Sequence, residues 1–362
     1  MEVSATISSG KSGDWIISGD DRVLVTGAGG FIGTRVVELL LRRGVRRIRC
    51  FVRPSSDLKR LQKVIADAKA GEQVELCTGN LQSRTDCQKA VTDVAVIYHL
   101  AAGRGEKSYP DAFLNSVVTT RNLIEAALAS GSLRRFVSVG SFTVYSNRNN
   151  PSGPLQEDAP VEEQSHLRGE AYCYAKVKQD ELIMDYGQRQ GLPYVILRPG
   201  YVYGPGNEGI SSRVGIGTFG IFLHLGGSNP VPLSYVDNCA EAIVLAGLKP
   251  GADGKIYNVV DDDLISSRSF LQLYKENVRR FQSIYLPHFA SYLLCWSWEK
   301  YSDWSQGQLP RAYNRLMWHA YWKGGQYSNQ RLKQDLGWQP IVSTPEGLNR
   351  YFESCRRKLS HA

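Results

Sequence analysis

Arg22-Val23-Leu24-Val25-Thr26-Gly27-Ala28-Gly29-Gly30-Phe31-Ile32-Gly33 is the stretch from which the rest of the chain can be read. Val23 to Val25 form a short β-branched run without polar alternation, the pattern of a strand buried on both faces of a parallel sheet. Behind Gly33, Thr34-Arg35-Val36-Val37-Glu38-Leu39-Leu40-Leu41-Arg42-Arg43-Gly44 has helical spacing, basic residues in its last turn and a glycine where a C-cap belongs. Strand, glycine turn and helix in that order make a seat for an anion. Gly27 permits the tight turn, Gly30 lets the backbone approach a pyrophosphate, and Gly33 allows helix and strand to pack closely. The negative charge rests on unsatisfied N–H groups of the first helical turn, where the helix dipole favours it. The spacing is GxxGxxG, and it predicts that Gly27, Gly29, Gly30, Phe31 and Ile32 hold a dinucleotide.

Strand and helix patterns go on alternating to about Arg198, with strand-like runs at 48–52, 74–77, 95–98, 135–139 and 194–197. That alternation predicts an α/β fold with a Rossmann-type doubly wound parallel sheet. Ligands in such sheets lie beyond the carboxyl ends of the strands. Asn80, Leu81, Leu100, Ala101, Ala102, Ser141, Pro199 and Val202 fall at or just past those ends and are expected in the site. The second strand ends at Arg53, where an NAD-binding chain would carry an acidic residue for the ribose hydroxyls. A guanidinium binds phosphate in bidentate fashion, so NADP is the expected cofactor, with NAD as the alternative. After Pro199 the chain turns rich in Gly and Pro before a helix opens at Val236 and a strand returns at Lys255. A smaller C-terminal lobe interleaved with the first is therefore expected. The expected division is a flexible tail over 1–21, a nucleotide-binding domain over 22–198 plus 234–262, and a substrate lobe over 199–233 plus 263–362.

Composition narrows the class. The chain has 362 residues, 42% of them hydrophobic, and a net charge of +8. The basic cluster Arg42, Arg43, Arg46, Arg47, Arg49 and Arg53 matches no nucleic-acid motif and reads as a solvated face near the phosphates. Seven cysteines show no metal-ligand spacing and are odd in number, which fits a reduced, cytoplasmic setting and no metal. No run approaches the roughly 20 apolar residues that a membrane-spanning helix needs. The expected partner is a small-molecule substrate.

Far downstream, Tyr172 and Lys176 stand one helical turn apart. Tyrosine ionises near pH 10, so a neutral-pH base needs its phenolate stabilised, and an ammonium one turn away supplies that electrostatically. Tyr174 and Lys178 offer a rival register. Further stretches in order are Ser141-Phe142-Thr143-Val144-Tyr145, Tyr172-Cys173-Tyr174-Ala175-Lys176, Leu197-Arg198-Pro199-Gly200-Tyr201-Val202-Tyr203-Gly204-Pro205-Gly206, Tyr235-Val236-Asp237-Asn238, Tyr257-Asn258 and Leu336-Gly337-Trp338-Gln339-Pro340. With the glycine loop, they resemble the extended short-chain dehydrogenase/reductase family of the NAD-dependent epimerase/dehydratase type. The resemblance implies Tyr172 as acid/base, Lys176 as its activator and a hold on the nicotinamide ribose, and Ser141 as hydrogen-bond donor to the reacting oxygen. It favours Tyr172 over Tyr174, since Ala175 precedes Lys176 and Asp180 follows it by four. It also implies a possible homodimer built on the catalytic helix.

Two departures from the family pattern stand out. Asn80 replaces the usual aspartate after the third strand. Ser141-Phe142-Thr143 stands where sugar-nucleotide 4,6-dehydratases carry Thr-Asp-Glu, which removes the acid and base that eliminate water. The chain also lacks a cation in Val231-Pro232-Leu233-Ser234, before Val236-Asp237. This looks like the branch holding 3β-hydroxysteroid dehydrogenases, sterol-carboxylate dehydrogenases and dihydroflavonol-type reductases. The segment 284–322 carries five of the seven tryptophans; it either lines a slot for a flat apolar substrate or packs the small lobe. The expected activity is interconversion of a secondary alcohol and a ketone on a bulky, largely apolar molecule. A sugar-nucleotide epimerase with retained NAD and a non-catalytic dinucleotide-binding protein are the alternatives, and Arg213, Lys300 and Arg311 are cations available to an anionic substrate.

Overall fold

A computed structural model describes residues 15–103, 108–148, 153–218, 220–306 and 308–360. Twelve strands and twelve α-helices lie among these residues. The strands are β1 (Arg22–Thr26), β2 (Ile48–Val52), β3 (Val74–Thr78), β4 (Val94–His99), β5 (Arg135–Val139), β6 (Tyr194–Pro199), β7 (Tyr201–Tyr203), β8 (Gly215–Thr218), β9 (Ile221–His224), β10 (Leu233–Tyr235), β11 (Lys255–Val259) and β12 (Ser283–Tyr285). The helices are α1 (Phe31–Arg42), α2 (Lys59–Asp67), α3 (Arg84–Val91), α4 (Tyr109–Phe113), α5 (Thr119–Ser130), α6 (Ala171–Gln190), α7 (Val236–Leu248), α8 (Ser267–Asn277), α9 (His288–Trp304), α10 (Arg315–Tyr321), α11 (Gln330–Leu336) and α12 (Thr344–Ser360).

Seven strands form one sheet in the order β3-β2-β1-β4-β5-β6-β11. Every neighbouring pair in it is parallel. This is the doubly wound α/β fold that the alternating patterns predict. Apolar residues of α1, α7 and α11 cover one face of the sheet, and those of α3, α5 and α6 cover the other. The strand order reverses between β1 and β4, so a crevice opens beyond their carboxyl ends, where such sheets hold ligands. A third apolar cluster joins Tyr203, Leu233 and Tyr235 to Phe270 of α8 and Tyr351 of α12 and forms the heart of a second lobe.

Two expectations about chain division are corrected. Residues 15–21 do not belong to a flexible tail. Trp15-Ile16-Ile17 is a short apolar triplet that gains by burial: Ile17 joins the sheet's core, and the Ile16 N–H donates to the Leu248 carbonyl at 2.9 Å. The rest of that expected tail, residues 1–14, lies outside the described residues. Nor does 263–362 pack wholly in the second lobe. Leu332, Leu336 and Trp338 lie in the sheet's core, and the Trp338 indole donates to the Asn238 carbonyl at 3.0 Å.

Candidate active site

The glycine loop connects β1 to α1. Gly27 has φ +70°, a region that side chains disfavour. A Cβ at Gly33 would stand 2.1 Å from the Gly27 carbonyl oxygen, so only glycine fits there. Helix α1 starts behind Gly30 with no side-chain cap and no acidic residue in its first turn. Its leading N–H groups are thus left to an anion, and the loop fits a pyrophosphate. Thr34 ties the turn down by donating to the Gly30 carbonyl at 2.9 Å. Arg53 is exposed at the end of β2, its N–H bonded to Ser56 Oγ at 3.1 Å. Arg60, at the start of α2, was missed by the sequence reading. A Cβ at Gly206 would stand 2.1 Å from its guanidinium, which therefore reaches across the glycine loop toward the second lobe. A charged residue on an exposed helix start carries no sequence signal of that reach.

Ser141 follows β5 and begins a tight turn, Phe142–Val144, with its Oγ accepting from the Thr143 N–H at 3.2 Å. Helix α6 brings Tyr172 and Lys176 to the same crevice, the ammonium 6.0 Å from the centre of the Tyr172 ring. Lys176 is only 4% exposed. It donates to the Val139 carbonyl at 2.7 Å and to Gln179 Oε1 at 2.8 Å. Burial pushes its pKa down to about 8, against the pull of Asp180, which favours the charge.

A buried polar chain holds this lysine. Gln179 Nε2 donates to Thr120 Oγ1 at 2.7 Å, and Thr120 gives its own proton to the Ser116 carbonyl at 2.6 Å. Ser116 sits in a single wide helical turn, Leu114–Val118, of the π type found at functional sites. With the threonine proton spent, His99 Nε2 must donate to Thr120 Oγ1 at 2.8 Å. Its Nδ1 then accepts from Thr26 Oγ1 at 2.8 Å, and Thr26 also accepts from the Ala101 N–H at 3.2 Å. His99 is therefore neutral with its proton on Nε2. Burial, with Lys176 adding to it, pushes its pKa down to about 3. The chain couples the lysine to the end of β1 without offering a proton path, because an amide does not relay protons.

A cavity of about 360 Å³ gathers Phe31, Ile32, Leu100, Ala102, Ser141, Tyr172, Lys176, Pro199 and Val202. Thr143, Asn207, Ser211, Arg213 and Tyr321 also line it, and among the described residues no carboxylate does. Tyr172 is 37% exposed and faces this space. Gly27, Gly29 and Gly30 lie in the turn that precedes Phe31. Ala101 is held against Gly27 by its bond to Thr26. Leu81 points into the core, not into the cavity, because it is the apolar residue closing the sheet face under α5. Asn80 is exposed, and its Oδ1 already accepts from the Gln82 N–H at 2.9 Å, leaving one lone pair for a ligand. The rival pair faces elsewhere: Lys178 is bound to Glu181, and Tyr174 packs on Tyr109 and Phe113. Cys173 is a packing residue whose thiol pKa is pushed up to about 11 by burial.

The aromatic segment contributes little to this cavity. None of its five tryptophans lines the cavity, and only Tyr321 does. Trp322 is buried with Leu225, Cys295 and Met317, whereas Trp304 is 76% exposed on the outer face of α9. Bulky apolar side chains clustered in sequence give no sign of which face they take. Among the described residues, no group of His, Cys, Asp or Glu could hold a metal, and no helix is long and apolar enough to cross a membrane.

Residues 23–259 match the family described as the NAD dependent epimerase/dehydratase family. The chain belongs to that family. A 3-beta-hydroxysteroid dehydrogenase of Mycolicibacterium neoaurum is 26% identical over 346 residues, covering 90% of this chain and 89% of that protein. A trifunctional UDP-glucose 4,6-dehydratase/UDP-4-keto-6-deoxy-D-glucose 3,5-epimerase/UDP-4-keto-L-rhamnose-reductase of Arabidopsis thaliana is 28% identical over 251 residues, covering 66% of this chain and 36% of that protein. Among solved structures, the UDP-glucuronic acid 4-epimerase from Bacillus cereus, in complex with UDP-glucuronic acid and NAD, superposes with a TM-score of 0.69 at 20% identity, over 93% of this chain and 99% of that one. That likeness shows the fold. Family members are NAD-dependent enzymes, and the relatives include both steroid and sugar-nucleotide enzymes, so relatedness does not determine the substrate.

Proposed function

We propose that this NAD-dependent family member is an oxidoreductase that interconverts a secondary alcohol and a ketone on a bulky, largely apolar substrate, with NADP as the preferred cofactor. The observation that carries the reading is the convergence of Ser141, Tyr172 and Lys176 on a single cavity whose lining includes Phe31 and Ile32, the first residues of the helix behind the glycine loop. When bound, a nicotinamide cofactor supplies the means to accept or give a hydride. Tyr172 does the proton work: its phenolate takes the alcohol proton in one direction, and its phenol returns it to the developing alkoxide in the other. Lys176, held by Val139 and Gln179, lowers the cost of that phenolate and keeps a third N–H for the cofactor ribose. Ser141 aims its hydroxyl at the reacting oxygen as charge builds there. Among the described residues no carboxylate lines the cavity, so elimination of water lacks the carboxyl acid and base that it would use. Arg53, exposed at the end of β2, supplies the charge that a 2′-phosphate would meet.

Titrating the purified protein with NADPH and NADH by fluorescence tests the cofactor and separates the readings. Tighter binding of NADPH by about 10- to 100-fold is expected, the worth of one charge-assisted bond. R53Q should erase most of that margin. Cofactor consumed in step with substrate turnover supports the oxidoreductase. NAD that stays bound through purification, with product formed and no net change in reduced cofactor, would establish the epimerase reading in its place.

A further inference from the structure

Helix α9 is built inside out. Its buried positions are small or polar: Ser291, Cys295 and Ser302. Ser291 Oγ accepts the Trp318 indole N–H at 2.9 Å, and Ser302 Oγ donates to the Leu309 carbonyl at 2.8 Å. Its outer positions carry Phe289, Leu293, Leu294, Trp296, Tyr301 and Trp304, each between 42% and 76% exposed. Phe289, Leu293, Trp296 and Trp304 recur at the spacing that sets residues on one helix face. An ordinary surface helix turns its apolar stripe to the core, and this one turns it to solvent. Both acids of α9 are neutralised, Glu299 by Arg315 at 2.9 Å and Asp303 by Arg311. Lys300 is exposed among the apolar residues and takes part in no ion pair among the described residues.

A basic cavity adjoins the start of this helix. β12 is an edge strand that runs through Leu286 and Pro287 into α9, and its Ile284 and Tyr285 are exposed as well. Between β12 and α8 lies a cavity of about 420 Å³ whose lining includes Arg268, Lys275, Arg280, His224, Ser283 and Glu276. The Arg268 guanidinium stands 5.4 Å from the centre of the Tyr285 ring, and Lys275 donates to Ser283 Oγ at 2.6 Å. None of these three cations has a carboxylate partner among the described residues. The lone carboxylate in the lining, Glu276, already accepts from Gln272 at 2.9 Å.

We infer that the outer face of α9 and the basic cavity at its start form one docking surface for an anionic lipid bilayer, with α9 lying in the plane of the interface. The aromatic and leucine side chains enter the boundary between headgroups and acyl chains, and the cations meet the lipid phosphates. An apolar helix face flanked by basic residues is the composition of an interfacial helix. At 17 residues α9 rests on the bilayer without spanning it. A lipid surface suits the face better than a second copy of this chain. A two-fold contact would set the same three cations of each copy near one another, in a chain that already carries a net charge of +8. The inference is independent of the oxidoreductase reading.

Co-sedimentation of the full chain with vesicles tests it. One set is phosphatidylcholine alone, and the other is equal parts phosphatidylcholine and phosphatidylglycerol. Wild type should bind the anionic vesicles about 10- to 100-fold more tightly, the worth of a few cations near the surface. The margin should shrink as salt rises from about 0.1 M to about 1 M, which shortens the screening length from about 10 Å to about 3 Å. Phe289→Ser, Leu293→Ser and Trp304→Ser together should abolish sedimentation on both sets, with the far-ultraviolet circular dichroism unchanged because all three side chains are exposed. Arg268→Gln with Arg280→Gln should remove the preference for phosphatidylglycerol and keep the residual binding to phosphatidylcholine. Should the triple variant not fold, quenching of wild-type tryptophan fluorescence by lipid brominated near the headgroup, and its reduction in W304F, reads the same contact. Wild type that sediments with neither set overturns the inference, as does a triple variant that folds and binds like wild type. Binding that phosphatidylglycerol does not strengthen overturns it too. A dimer that the triple variant disrupts, without any vesicle binding, assigns the face to a second copy instead.

Discussion

Replacing Tyr172 with phenylalanine is expected to lower kcat/KM by about 10²- to 10⁴-fold, the usual contribution of a positioned general acid/base. The ring stays and only the ionisable oxygen goes, so the cavity keeps its shape and NADPH affinity should change by less than about threefold, or roughly 0.7 kcal/mol. Steady-state kinetics together with cofactor fluorescence separates the two quantities. A loss in cofactor binding equal to the loss in rate would mean that Tyr172 holds the cofactor and does no proton chemistry. Unchanged turnover would move the base elsewhere.

Lys176→Met should be as damaging to the reaction and should leave a distinct mark on stability. A phenolate that loses an ammonium worth roughly three pKa units loses about 4 kcal/mol, or about 10³-fold in rate. Stability is linked to the same proton. Burial lowers the folded-state pKa of Lys176 from 10.5 to about 8. Below about pH 8 the lysine is protonated in both the folded and the unfolded chain, and it gives no pH dependence. Between about 8 and 10.5 the folded chain has released a proton that the unfolded chain still binds, so stability rises with pH across that window. The total is on the order of 3 kcal/mol. A methionine at this position cannot titrate. Urea unfolding of wild type and variant across the window should therefore show wild type gaining on the variant as pH rises, and two parallel curves would contradict the assignment of a buried, charged lysine.

Much of this architecture is legible in the sequence because its signals are local. The glycine loop declares itself through spacing between a buried strand and an amphipathic helix, and Gly33 proves to be a position where a Cβ would strike the Gly27 carbonyl. Tyr172 and Lys176 are one turn apart on a helix, so spacing alone places them together. Positions at strand ends are legible for the same reason, and Leu100, Ala102, Pro199 and Val202 do line the cavity. Leu81 shows where that rule stops, because a strand end also needs a residue to close the core.

What the sequence hides is long-range. The chain from Lys176 through Gln179, Thr120 and His99 to Thr26 joins residues up to 153 positions apart, and no local pattern marks it. Arg213 reads as one of three cations available to an anionic substrate, and only the fold shows that it is buried in the cavity lining. The aromatic segment is left open by its sequence, which allows an apolar slot or packing of the small lobe, and its tryptophans pack that lobe or face outward.

The most direct test of a shared catalytic centre is a crystal structure with NADP bound. The nicotinamide is expected in the cavity between Ile32 and Ser141, with Tyr172 Oη and Ser141 Oγ both able to reach a single point at about 3 Å and Lys176 Nζ turned to the ribose. A nicotinamide lying outside that cavity, or a Tyr172 phenol directed away from it, would contradict the claim that these three side chains form one catalytic centre.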